Sequence, residues 1–251
     1  MTIAGADRAD SAPVRKRRRS GLLASFALLL GCVSAPAAGL AVDIASLPAA
    51  MALPAALPSA GHVLRADFSG VAASPDARRV GDWVVRSGDN HGRPFAIVDK
   101  EAARMFLFTA GGTLLGAAPV LLGLARGDDS PPGIGARPLA SIRPAERITP
   151  AGRFEAALGR NLAGRDILWV DYAAAVSVHR ATDLKPGLNA TDRLARLASA
   201  TTADNRISHG CINVSEAFYE GMIRPAFAGG SGIVYVLPET RSVDAQFPLA
   251  A

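Results

Sequence analysis

Between Pro94 and Pro238 the apolar residues come in short runs closed by Gly, Pro, Asp or Asn, and this limits the folds open to the chain. The runs are FAIVD (95–99), MFLF (105–108), TLLGAAPVLLG (113–123, broken by Gly116 and Pro119), ILWV (167–170), AAVSV (174–178) and GIVYVL (232–237). They hold no sustained 3.6-residue period and are rich in β-branched and aromatic residues, so they predict strands. HVLRADF (62–68), DWVVRS (82–87) and GRFEAAL (152–158) read the same way. Gly111-Gly112 falls between two runs and predicts a hairpin. Two segments read as helices. NATDRLARLAS (189–199) has Leu194 and Leu197 behind a Thr191 or Asp192 cap, and SEAFYEGMIRPAF (215–227) starts at a Ser215 cap. Residues 127–152, rich in Gly and Pro, predict a long surface loop. The sum is a mainly β (α+β), sandwich-like domain over 62–240 with two or three short helices, then a C-terminal tail at 241–251.

The composition allows such a core. Of 251 residues, 49% are hydrophobic and 20% charged, which excludes a wholly disordered chain. The net charge of +5 is unevenly placed: residues 1–46 hold six of the 27 basic and three of the 22 acidic residues, so the remainder carries only +2. The folded part therefore has no charge signature of nucleic-acid binding. Arg15 to Arg19 read RKRRR, and an uncharged apolar stretch follows to Val42. That order is the signature of a secretory signal peptide over 1–42, with an uncleaved anchor or a lipid-modified Cys32 as alternatives. Each places the chain outside the cytoplasm, with membrane contact only through this segment. Residues 43–61, Ala- and Pro-rich, read as a linker.

Only Cys32 and Cys211 are present, so no disulfide framework exists. Once exported, Cys211 has no partner in the chain if Cys32 leaves or is lipidated. A free thiol in an oxidising compartment is buried, paired between chains, or used. Its neighbours favour use. Cys211 sits in Ser208-His209-Gly210-Cys211-Ile212-Asn213, and His179 ends an upstream apolar run. A thiol needs a base to become a nucleophile, and imidazole supplies one. Glycine beside it lets a carbonyl approach the backbone N–H groups.

The whole pattern resembles the catalytic domain of the L,D-transpeptidases (the YkuD-like family), whose signature is an upstream His, then Ser/Thr-His-Gly-Cys, an apolar residue and Asn. Thr149-Pro150-Ala151-Gly152-Arg153-Phe154 is similar to a second element of that family, Thr-Pro-x-Gly-x-Phe. The resemblance spans roughly residues 90–238. It implies that Cys211 forms a thioester with the third residue of a peptidoglycan tetrapeptide stem and passes it to an amine, with His179 as base and His209 lining the site. It implies oxyanion and loop support from Gly210, Ser208, Asn213 and the backbone of Arg180, no cofactor or metal, and a place in the periplasm or cell envelope. Two features depart from the pattern. Arg180 stands where Gly or Ser follows the base, and the 32-residue step from His179 to Cys211 is longer than usual. A non-catalytic envelope protein of the same fold that binds peptidoglycan is the alternative. Elsewhere, His62 and His91 read as surface residues, Trp83 and Trp169 as core, and Asp128-Asp129 as a solvated loop.

Overall fold

The computed structural model describes residues 64–182 and 192–249. The expected signal peptide (1–42) and linker (43–61) lie outside the described residues. The first element is a helix, α1 (Pro75–Ser87). Ser74 Oγ accepts from the Ala77 N–H, Pro75 opens the first turn, and Gly88 closes the last by donating to the Val84 carbonyl. The strand expected at DWVVRS is thus the second half of a helix. Ala77, Val80, Trp83 and Val84 are buried at helical spacing, a period that a six-residue window conceals.

The remaining elements are mostly strands: β1 (Phe95–Asp99), β2 (Arg104–Phe108), β3 (Leu114–Pro119), β4 (Leu122–Gly123), β5 (Gly152–Arg160), β6 (Asp166–Asp171) and β7 (Val176–Arg180). After β7 come α2 (Arg193–Ala198), β8 (Arg206–Ser208), β9 (Ile212–Val214), α3 (Glu216–Phe218), α4 (Arg224–Phe227), β10 (Ser231–Val236) and α5 (Val243–Gln246). A π turn, Tyr219–Ile223, joins α3 to α4. Eight strands form one mixed sheet in the order β3-β2-β1-β10-β5-β6-β7-β9, and β4 pairs with β8. Within the large sheet β1–β10 and β7–β9 are parallel and the other pairs antiparallel. The protein is mainly β, as its runs predict, with more helical turns than expected.

Strand alternation builds two cores. Ala96, Val98, Met105, Leu107, Leu168, Val178, Val234 and Val236 face one side and meet Phe218, Tyr219 and Phe227 of the α3–α4 segment. Phe95, Ile97, Phe106, Phe108, Ile233 and Tyr235 face the other and meet α1. Burying each such side chain contributes about 1.5–3 kcal/mol, so the doubly covered strands β1, β2 and β10 are the most strongly held part of the sheet. Val243 and Phe247 join the second core. The expected tail at 241–251 is therefore part of the fold as far as Leu249, held by Val243 of α5 and by Phe247 just beyond it, two anchors too few to show a period.

β3 and β9 are the two edges of the sheet, and the chain ties them together. Leu121, just beyond β3, exchanges backbone hydrogen bonds with Asn213 of β9 at 2.8 and 2.9 Å. The sheet thus curls until its edges are bridged, and the bridge falls beside Cys211.

The 127–152 segment is irregular, with three 3₁₀ turns at 134–136, 139–141 and 144–146, but it is not a solvated loop throughout. Asp128, expected in solvent, is buried. It accepts from Lys100 Nζ at 2.8 Å and from the backbone N–H groups of Glu239, Thr240 and Arg241. Lys100 Nζ also donates to the Gly127 and Thr149 carbonyls and lies 3.6 Å from Glu239, which pairs with Arg206 at 2.6 Å. Burial pulls the Lys100 ammonium down from its ordinary pKa, while Asp128, despite its burial, is held well below the usual carboxylate range by Lys100, Thr240 and the backbone donors.

This cluster pins three segments together: the end of β1, the start of the 127–152 segment and the chain after β10. Lys100→Met keeps the volume but leaves two buried carboxylates short of a cation. We predict a loss of about 3–5 kcal/mol in urea unfolding. A loss below about 1 kcal/mol would show that the cluster is not a structural pin.

Candidate active site

The parallel pairing of β7 with β9 assembles the site. His179 registers with Asn213 and Val178 with Ile212. Alternation turns Val178 and Ile212 into the core and leaves Ser177 and His179 on the opposite face, beside Cys211 and Asn213. Cys211 Sγ lies 3.7 Å from Ser177 Oγ and 3.7 Å from the Ala175 carbonyl. Ala175 closes the turn between β6 and β7 with a positive φ of 55°, and Asp171 caps that turn by accepting from the Ala174 N–H. The sequence-predicted pair Cys211 and His179 therefore lies on one face of the sheet, with Cys211 just before β9 and two positions from Asn213, the register partner of His179. A parallel pair cannot be joined by a tight turn, so some crossover must separate His179 from Cys211.

Hydrogen bonds fix the imidazole. His179 Nδ1 lies 2.9 Å from the Arg180 carbonyl, and Nε2 lies 2.9 Å from Asn213 Nδ2. Arg193 of α2 donates to Asn213 Oδ1. A guanidinium only donates, so the Asn213 oxygen faces Arg193 and its NH₂ faces the ring. Nε2 is then the acceptor and Nδ1 carries the proton, which it gives to the Arg180 carbonyl. The Arg180 side chain takes no part: it is bound to Asp166 and Glu220 and lies 4.1 Å over the Tyr219 ring. The residue that departs from the family pattern thus supplies its backbone to the His179 ring and its guanidinium to the fold.

Two hydroxyls hold the Cys211 loop. Ser208 Oγ donates to the Cys211 carbonyl at 2.6 Å and accepts from the Gly210 N–H at 3.0 Å. Gly210 adopts φ +131°, and a Cβ there would come within 2.7 Å of the Ile148 carbonyl. Since its N–H is bound within the loop, Gly210 gives support rather than an oxyanion donor. Thr149 Oγ1, the second hydroxyl, donates to the Gly210 carbonyl at 2.9 Å.

The thiol and imidazole shift each other toward the ion pair. Burial pushes the Cys211 thiol up, but His179 and Ser177 outweigh it and hold it below its ordinary value. Burial pulls His179 down, but Cys211 and the Arg180 carbonyl raise it, with Arg193 opposing. The side-chain hydrogen bond of the pair is the largest of these mutual influences, ahead of its charge, and Nε2 also lies against the Asn213 amide. His209 is half-buried beside the loop and makes no side-chain hydrogen bond among the described residues. Burial, then Arg147 and Arg193, lower its pKa, so it is neutral at neutral pH.

The other sequence-marked residues lie apart from the thiol or in unexpected places. Trp83 packs in the second core, but Trp169 does not enter a core. It is half-buried on the outer face, opposite Ser177, and stacks on Tyr172 with centroids 4.9 Å apart. Its position in β6 has the parity of the exposed face, which the apolar run ILWV hides. Arg193 and Lys100 went unmarked in the sequence, whereas Thr149 was marked only as part of its Thr-Pro-x-Gly-x-Phe segment and not as a residue of the site. His179 also lines a cavity of about 150 Å³ with Asp166, Ile167 and Thr182. Among the described residues no cluster of His, Cys, Asp or Glu fits a metal ion.

The pair can be tested by alkylation. Cys211 reacts with iodoacetamide with a midpoint below that of an ordinary thiol. In His179→Ala burial is opposed by Ser177 alone, and the midpoint moves up. An unmoved midpoint would show that His179 does not set the thiol's protonation.

No protein-family model matches the chain, and no curated protein matches it. Among solved structures it is similar to an L,D-transpeptidase in complex with imipenem (19% identity, 57% of this chain and 58% of that one, TM-score 0.34). It is similar also to an Enterococcus faecium L,D-transpeptidase (18%, 58% and 50%, TM-score 0.32) and to one from Mycobacterium smegmatis (18%, 57% and 58%, TM-score 0.30). The chain thus spans half to three fifths of the length of these structures. At such TM-scores the likeness carries no argument, and function is read from the residues of the site.

Proposed function

We propose that this chain is a cysteine-dependent acyltransferase acting on peptidoglycan peptides, an L,D-transpeptidase. The reading rests on one observation: a thiol held below its ordinary pKa, on the same sheet face as a histidine whose tautomer leaves Nε2 free of a proton. The sequence string around Cys211 supplies the substrate class through its resemblance, and the cationic and apolar N-terminal segment puts the protein where that substrate is.

In the reaction, Cys211 Sγ attacks the carbonyl of the third residue of a stem while its proton passes to His179 Nε2. The Asn213 amide gives way at that moment, since a protonated Nε2 can no longer accept from it. The tetrahedral oxyanion accepts from the Cys211 N–H, which has no acceptor among the described residues. The C–N bond then breaks, the leaving amine takes the proton from His179, and a thioester remains. A second amine attacks it, gives its proton back to His179 and frees the thiol. Ser208 and Thr149 hold the loop, and Arg193 holds Asn213. The N-terminal segment exports the protein to the cell envelope; among the described residues no helix is long and apolar enough to cross a membrane.

The test is mass analysis of muropeptides after the purified protein acts on sacculi. We expect tetrapeptide stems to fall and stems joined or cut after the third residue to appear. Cys211→Ala abolishes both, and His179→Ala slows them by about 10²–10⁴-fold. Sacculi that are bound but chemically unchanged would instead establish a binding protein.

A further inference from the structure

The Thr149 hydroxyl touches neither thiol nor imidazole, yet its bonds end on the peptide unit before Cys211. Thr149 is fully buried. Its Oγ1 accepts from the Gly123 N–H at 2.8 Å, and that N–H can only donate. The hydroxyl proton is therefore committed to the other partner, the Gly210 carbonyl at 2.9 Å. Gly123 permits this contact. A Cβ there would come within 2.3 Å of the Arg147 carbonyl and 2.7 Å of the Thr149 nitrogen, so only glycine lets β4 approach so closely. The Thr149 main chain is anchored in turn, its carbonyl accepting from the buried Lys100 ammonium at 3.0 Å.

The consequence follows from peptide geometry. In a trans peptide unit the C=O and the next N–H point in opposite directions. The Gly210 carbonyl is directed at the buried Thr149, so the Cys211 N–H of the same unit is directed away from it, and it has no acceptor among the described residues. We propose that Thr149 is a positioning residue for acyl transfer: by holding the Gly210 carbonyl, it aims the Cys211 N–H at the oxyanion. It touches neither substrate nor thiol. This inference rests on the acyl-transfer reading above and adds the residue that orients its oxyanion donor.

Two reagents separate orientation from mere loop integrity. Acylation by a carbapenem passes through an oxyanion and needs the donor; alkylation by iodoacetamide displaces iodide, forms none and does not. We expect Thr149→Val to acylate about 10-fold to 100-fold more slowly, a fraction of what loss of a whole oxyanion donor costs. Its alkylation rate and pH midpoint should stay as in the parent, and Thr149→Ser, which keeps the hydroxyl, should restore acylation. Equal loss of both reactions, or no loss of either, overturns the proposal. A measurement on the parent protein holds whether or not the valine variant folds. When a peptide aldehyde adds to Cys211, the thiol adds across the C=O to give a hemithioacetal, whose oxygen takes the place of the oxyanion. The Cys211 amide proton should then move downfield, and an unmoved resonance overturns the proposal. If the parent alkylates but never acylates, the acyl-transfer reading fails and takes this inference with it. If the parent and Thr149→Val acylate alike, the inference fails alone.

Discussion

The site depends on the parallel pairing of β7 with β9. This short ladder at the edge of the sheet turns two residues of each strand toward the same face, with Ser177 beside Cys211 and His179 beside Asn213. A one-residue slip would send His179 into the core and Val178 to the surface, because side chains alternate with period two. The register is held from both sides. β6 pairs with β7 on one flank, and the Leu121 bridge holds Asn213 on the other. The apolar side chains of Val178, Ile212 and Val214 make any other register expensive.

The rest of the structure keeps a few peptide planes and one ring in fixed orientations. Ser208 and Thr149 spend their hydroxyls on the backbone of the Cys211 loop, and the Arg180 carbonyl and Asn213 fix the imidazole. Behind Thr149 stands a buried cation, Lys100, shared between Asp128 and Glu239. Ions so buried are costly to desolvate, and their net contribution to stability is small when the pairing is complete. What they provide is geometric: they lock the 127–152 segment and the chain beyond β10 to the start of the reactive loop.

Much of this is legible in the sequence, for reasons that differ by element. The strand runs from Phe95 to Val236 are visible because the sheet is covered on both faces at its centre and its strands are apolar almost throughout. Cys211, His179 and their neighbours are visible because the chemistry demands particular residue types at close spacing. Helix α1 is hidden by its polar half, although Ser74-Pro75 and Gly88 mark both its ends. Trp169 reads as core because its neighbours are apolar, whereas only its parity in β6 tells which face it takes. Asp128 and Lys100 are not legible as partners, since 28 residues separate them and either alone reads as a surface charge.

The central claim, that the fold makes Cys211 a nucleophile toward acyl groups, is tested most directly by intact mass with peptide mapping after exposure to a carbapenem at neutral pH. The account predicts one adduct of the reagent's mass, carried by the peptide that contains Cys211, formed quickly in the parent and slowly in His179→Ala. A protein of unchanged mass, or an adduct mapped to any other residue, would contradict it.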